Sequence, residues 1–101
     1  MSSLTRLARN RPCLVRLPGC DGGGATTVGA HYRSVSLGSG VSFKPTDWLL
    51  AWACHPCHMA IDGVRDIEGY SKVDIRLAHL EGVVRTLLEI KRLGKLEWMP
   101  A

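Results

Sequence analysis

The chain has 101 residues, 46% of them apolar and 22% charged, enough for one domain with an adequate core and too few for several. Thirteen Lys and Arg against nine Asp and Glu leave a formal charge of +4, a mild basicity that favours a polyanionic partner without requiring one. No charged-then-apolar leader opens "MSSLTRLARNRP" and no apolar run approaches membrane-spanning length, so the expected location is the cytoplasm. In that reducing compartment four cysteines are more simply metal ligands than two disulfides.

Leu4, Leu7 and Ala8 recur at helical spacing after Ser3, which predicts one or two helical turns within a basic N-terminal segment, residues 1–12. Within "CLVRLPGC", residues 13–20, Leu14 to Leu17 read as a short strand turned by Pro18-Gly19, and the glycine-rich residues 21–27 read as a loop. β character is predicted from Thr26 to Tyr32, and the Ser/Gly-rich residues 34–43 form a connection without regular structure. "WLLAWA", residues 48–53, is short, apolar and bounded, and is read as a buried strand in preference to a helical turn.

"HMAID", residues 58–62, has helical character, with Gly63 placed to terminate it. The last element is a scaffold helix over residues 71–93. Val73, Leu77, Leu80, Val84, Leu87 and Leu88 step by three and four, and this stripe is expected to face the core. Ser71 with Asp74 makes an N-cap pair, Glu81 with Arg85 a favourable i,i+4 pair, and Gly94 a terminator.

The chemistry concentrates in "ACHPCHMAID", residues 53–62. Cys54-x2-Cys57 is a knuckle that lets two sulfurs approach one ion, and Cys13-x6-Cys20 supplies a second, looser pair. Four thiolates suit the tetrahedral, borderline-soft demands of Zn²⁺, so Cys13, Cys20, Cys54 and Cys57 are read as a structural zinc site, with free or disulfide-bonded thiols as the alternative. "CHPCH" also fits the c-type haem attachment pattern, which belongs outside the cytoplasm, and a thioredoxin-like dithiol would need a βαβ context that the flanking segments do not supply. His58, one residue beyond Cys57, is rotated about 100° from the sulfur on a helix, toward a different site. Asp62, four residues on, shares the face of His58 and could ligate a second ion or orient the imidazole; a solvated helix-end carboxylate is the plainer reading.

"AHYR" around His31, then "KPTDW", then "CHPCH" before a helix resemble the HNH (ββα-metal) endonucleases. With the early Cys-x6-Cys and the "CxxCH…ID" spacing, the chain is most similar to the small phage and prophage proteins called YbcO-like "putative nucleases", over about Leu4 to Asp62. The resemblance implies an α+β fold: a single small zinc-stapled ββα-metal domain over residues 1–101 with a long C-terminal amphipathic helix. It implies His31 as the general base, His58 as the closing histidine on a catalytic divalent ion, Mg²⁺ or Mn²⁺, and Asp47 near the position of the asparagine that orients the base. Ala30 departs from the pattern, since Asp or His commonly precedes the base as a metal ligand; Asp62 is the leading substitute.

The implied function is metal-dependent hydrolysis of DNA phosphodiesters, for which an activated water and a charge-neutralising cation suffice. The alternative is a non-catalytic zinc-knuckle module that binds nucleic acid or a protein partner. Arg33 and Lys44 could contact phosphates, and Arg6, Arg9 and Arg11 could lie along the DNA backbone, although solvated surface explains such residues equally well. Trp48 and Trp52 read as core, and His55 and His79 receive no role.

Overall fold

The computed structural model describes residues 3–34 and 47–94. Helix α1 (Ser3–Leu7) leads into an irregular segment, followed by strand β1 (Val28–His31), a 3-10 turn (Asp47–Leu49), strand β2 (Leu50–Ala53), helix α2 (His55–Ile61) and helix α3 (Lys72–Arg92). The result is a small α+β domain with a two-stranded sheet and a long C-terminal helix. Residues 35–46, with Lys44 and most of the predicted Ser/Gly-rich connection, lie outside the described residues.

β1 and β2 pair antiparallel, Val28 with Ala53, Gly29 with Trp52, Ala30 with Ala51 and His31 with Leu50. Every β2 residue is buried, as a continuous apolar run between two covered faces requires. Alternation along the strand splits the core in two: Leu50 and Trp52 meet Leu4, Ala8, Leu14 and Ile90, whereas Ala51 and Ala53 meet Val15, Val83 and the cysteines. Trp52 turns its backbone away from β1, where Leu14 donates N–H to its carbonyl at 2.8 Å and its own N–H reaches the Thr86 hydroxyl at 3.0 Å. The outer edge of β2 is thereby satisfied without a third strand.

The predicted strand at Leu14–Leu17 does not form. Arg16 adopts φ 61°, in the left-handed region, and folds the segment back so that Cys13 and Cys20 approach one another. The turn is closed by Cys13 N–H to Gly22 O at 3.0 Å and Cys20 N–H to Leu17 O at 3.0 Å. Gly23 has φ 85°, and a Cβ there would lie 2.4 Å from the Cys13 nitrogen, so only glycine fits.

α3 begins at the expected cap: the Ser71 hydroxyl accepts from Asp74 N–H at 3.1 Å while the Asp74 carboxylate accepts from Ser71 N–H at 2.8 Å. Gly94, with φ 74°, follows its end. The orientation of the helix is the reverse of the expectation. Its buried residues are His79, Gly82, Val83, Thr86 and Ile90, while Val73, Leu77, Leu80, Val84 and Leu88 are exposed and Leu87, the sixth of the predicted stripe, packs half-buried against the core. Ile75, His79, Gly82, Val83, Thr86 and Ile90 also recur by threes and fours, and this stripe wins because Gly82 lets α3 approach β2 closely. A Cβ on Gly82 would lie 2.9 Å from Val15 Cγ2 and 3.2 Å from Ala51 Cβ. The expected Glu81–Arg85 pairing gives way to Arg85 Nη1 donating to Leu14 O at 2.9 Å.

Candidate metal centre and candidate active site

β2 delivers Cys54 to the start of α2, where it is the N-cap residue with extended backbone, and Pro56 occupies the first turn. One turn then carries Cys57 back toward Cys54, while the folded segment around Arg16 supplies Cys13 and Cys20. All four sulfurs lie within 4.8 Å of one another, and none is in a disulfide. Cys20 and Cys54 Sγ are 3.7 Å apart, close to the about 3.8 Å edge of a tetrahedron with Zn–S bonds of about 2.3 Å. The donor set fits a zinc ion.

The sulfurs perturb one another. A hydrogen bond from Cys57 lowers the Cys13 thiol and correspondingly raises that of Cys57, and burial pushes Cys54 up to about 11. As thiolates, four sulfurs this close, three of them buried, would repel one another unless a cation lay among them, and the cluster could hold a metal ion. Arg65 ties its two halves together, donating Nε to Pro56 O at 3.0 Å and Nη2 to Pro18 O at 2.9 Å. Nothing in the spacing of the sequence announced this arginine, because its partners are backbone carbonyls.

Beside the cysteines lies a second locus. Cys57 is buried, whereas His58, the next residue, is one-third exposed and its Nε2 lies 3.2 Å from Asp62 Oδ2. Asp62 and His31 line one cleft of about 160 Å³ with Arg33, Ile61, Ile75, Arg76 and His79. His31, from the end of β1, is thus brought to the same cleft as the carboxylate at the end of α2, although 31 positions separate them in the chain. Among the described residues no second group of three ligand-type side chains closes as tightly as the four cysteines. Asp47 opens the 3-10 turn, and its side chain lies outside the described residues.

Two cleft residues were missed in the sequence. His79, on the buried face of α3, donates Nε2–H to the Ala30 carbonyl at 2.9 Å and meets the Tyr32 ring edge-on at 5.2 Å. Burial holds its pKa below the usual histidine value. Arg76 lies 4.7 Å over the Tyr32 ring and donates to Tyr32 Oη at 3.0 Å and Arg33 O at 3.3 Å. His79 belongs to the buried stripe of α3, which the count of leucines and valines obscured, and the exposed Arg76 lies three positions before it. Ala30 itself is a core residue, 3% exposed.

Of the arginines expected on DNA, Arg33 lines this cleft, and Arg6 and Arg9 line a separate groove beside Thr27, Val28 and Gly29 on β1. Arg11 is turned onto the protein instead, 5.6 Å over the Trp52 ring and donating Nε to Leu7 O at 3.3 Å.

Comparison with known proteins converges on one group. The family described as "Putative nuclease YbcO" matches residues 2–95. The chain belongs to the YbcO family. Curated members named "Putative nuclease YbcO", from Escherichia coli K12 and from Enterobacteria phage 82, are each 40% identical over 89 residues, which cover 85% of this chain and 88% of theirs. A solved structure described as a putative bacteriophage protein from Escherichia coli K-12 superposes with a TM-score of 0.68 at 35% identity, covering 87% of this chain and 95% of that one. No helix among the described residues of this YbcO-family chain is long and apolar enough to cross a membrane.

Proposed function

We propose that this protein is a zinc-stapled, metal-dependent endonuclease of HNH type that hydrolyses DNA phosphodiester bonds. The observation that carries the reading is that His31 and Asp62, from separate elements, line one cleft, with His58 Nε2 3.2 Å from the Asp62 carboxylate. The family name supports the reaction class, and the four-sulfur cluster gives α2 a fixed origin from which His58 and Asp62 project.

In this reading the two metal sites differ in task. Zn²⁺ on Cys13, Cys20, Cys54 and Cys57 is structural. His58 and Asp62 would hold a divalent cation, Mg²⁺ or Mn²⁺, which would supply charge neutralisation at the phosphate and the leaving oxygen. Their Nε2 and Oδ2 atoms lie 3.2 Å apart, near enough to share one ion. His31 takes the proton of the attacking water. Arg33 and Arg76 contact the phosphate oxygens, Arg76 held in place by Tyr32. Arg6 and Arg9 lie along the flanking backbone.

A non-catalytic zinc module that binds nucleic acid is the second reading. Ala30 favours it, because a core methyl stands where such sites commonly place a ligand. Plasmid nicking with added Mg²⁺ or Mn²⁺ separates the two. Cation-dependent nicking by the wild type, abolished in His31→Ala and His58→Ala, is the expected result. DNA binding without nicking in the wild type would reject the enzyme in favour of the module, and nicking that survives both substitutions would reject the assigned residues.

A further inference from the structure

The outer face of α3 carries a row of exposed apolar side chains. Val73, Leu77, Leu80, Val84 and Leu88 are 73%, 57%, 37%, 50% and 61% exposed, all on the side of the helix opposite His79, Val83 and Thr86. A helix that is apolar on both sides is one covered on both sides, and a stripe of five large side chains in one row is not the scattered exposure of ordinary surfaces.

We propose that this stripe pairs with the same stripe of a second copy of the chain, antiparallel, to form a two-fold dimer. The spacing of the row argues for self-association. A two-fold axis passing beside Leu80 sets Val73 against Leu88 of the second copy and Leu77 against Val84, so every large side chain meets another, and each contact occurs twice as an isologous interface demands. Charge follows the same symmetry. Asp74 and Arg85 lie on one flank of the stripe, and antiparallel packing brings each opposite the other's copy. Arg85 spends one nitrogen on Leu14 O and retains other donors. The antiparallel arrangement also opposes the two helix dipoles, which a parallel pair would align.

One contact works against the pairing, because Glu81 comes near its own copy at the axis. The row from Val73 to Leu88 is about 22 Å long, and one such row buries less than the about 800 Å² per partner of a standard interface. The dimer is therefore weak, with a dissociation constant of about 1–100 µM.

The test is the mass of the zinc-loaded full chain by sedimentation equilibrium from about 1 to about 500 µM. A rise from monomer to dimer mass is expected in the wild type, with Glu81→Gln associating more tightly. Leu77→Glu and Val84→Lys should each be monomeric at all concentrations with unchanged far-ultraviolet circular dichroism, since both positions are exposed in the single chain. The double variant should regain the dimer, because the two introduced charges face each other twice across antiparallel copies. A wild type that stays monomeric throughout, a dimer undiminished by Leu77→Glu, association without a closed dimer mass, or a double variant that stays monomeric would each overturn the proposal.

Discussion

His79 donates its Nε2 proton to the carbonyl of Ala30 across 2.9 Å, so a buried imidazole of α3 fixes the backbone of the residue that precedes His31. Burial is the main cause that lowers its pKa, with Arg76 and His58 adding to the effect and the Ala30 carbonyl opposing it. The folded chain then binds this proton less readily than the unfolded chain, whose histidine titrates near about 6.5. The stabilisation from neutral His79 is complete above that value and is lost as pH falls below it toward the lower folded pKa. His79→Gln keeps a donor and removes the titration. Urea midpoints measured at about pH 7.5 and about pH 5.5 should fall less on acidification in the variant than in the wild type, and equal falls would exclude this role.

Thr86 is fully buried, accepts from Trp52 N–H and donates to Gly82 O at 2.7 Å. Thr86→Val preserves shape and strands the Trp52 N–H. A loss of about 1–3 kcal/mol is expected from denaturant unfolding, and a neutral substitution would show that the edge of β2 does not depend on this hydroxyl.

Gly82→Ala sets two effects against each other. Alanine gains about 1 kcal/mol in helix propensity, but its methyl would lie 2.9 Å from Val15 Cγ2 in a closed core, where overpacking costs about 1–3 kcal/mol. The expected outcome is a lower thermal midpoint, and a raised one would mean that α3 can shift outward freely.

A zinc ion on the four cysteines would make folding depend on metal. One tightly held zinc per chain is expected by metal analysis, with cooperative unfolding on chelation or in Cys54→Ser and Cys57→Ser. Arg65→Met keeps the side-chain stem and loses both bonds to the cysteine turns, so zinc affinity should drop roughly tenfold while the apolar core stays intact.

The sequence made some of this legible and not the rest, for physical reasons. "WLLAWA", the Ser71–Asp74 cap and the Cys54–Cys57 knuckle are local patterns, and the structure has the capping box and the paired sulfurs where they lie, with β2 over Leu50–Ala53 and Trp48 and Leu49 in the 3-10 turn before it. Leu14–Leu17 misled because a left-handed Arg16 leaves no mark on an apolar run. α3 misled more deeply: it carries two stripes, and the richer in leucine and valine faces out. The inner stripe includes His79, Gly82 and Thr86, whose value lies in close approach and hydrogen bonds across the fold rather than in hydrophobicity. The cleft residues His79 and Arg76 were hidden for that same reason.

The ion proposed at His58 and Asp62 can be tested by Mn²⁺ titration of the zinc-loaded protein followed by electron paramagnetic resonance. One Mn²⁺ bound per chain in the wild type is expected, lost in Asp62→Asn and in His58→Ala while the zinc content and fold persist. Mn²⁺ binding that is absent from the wild type, or unchanged by both substitutions, would contradict it.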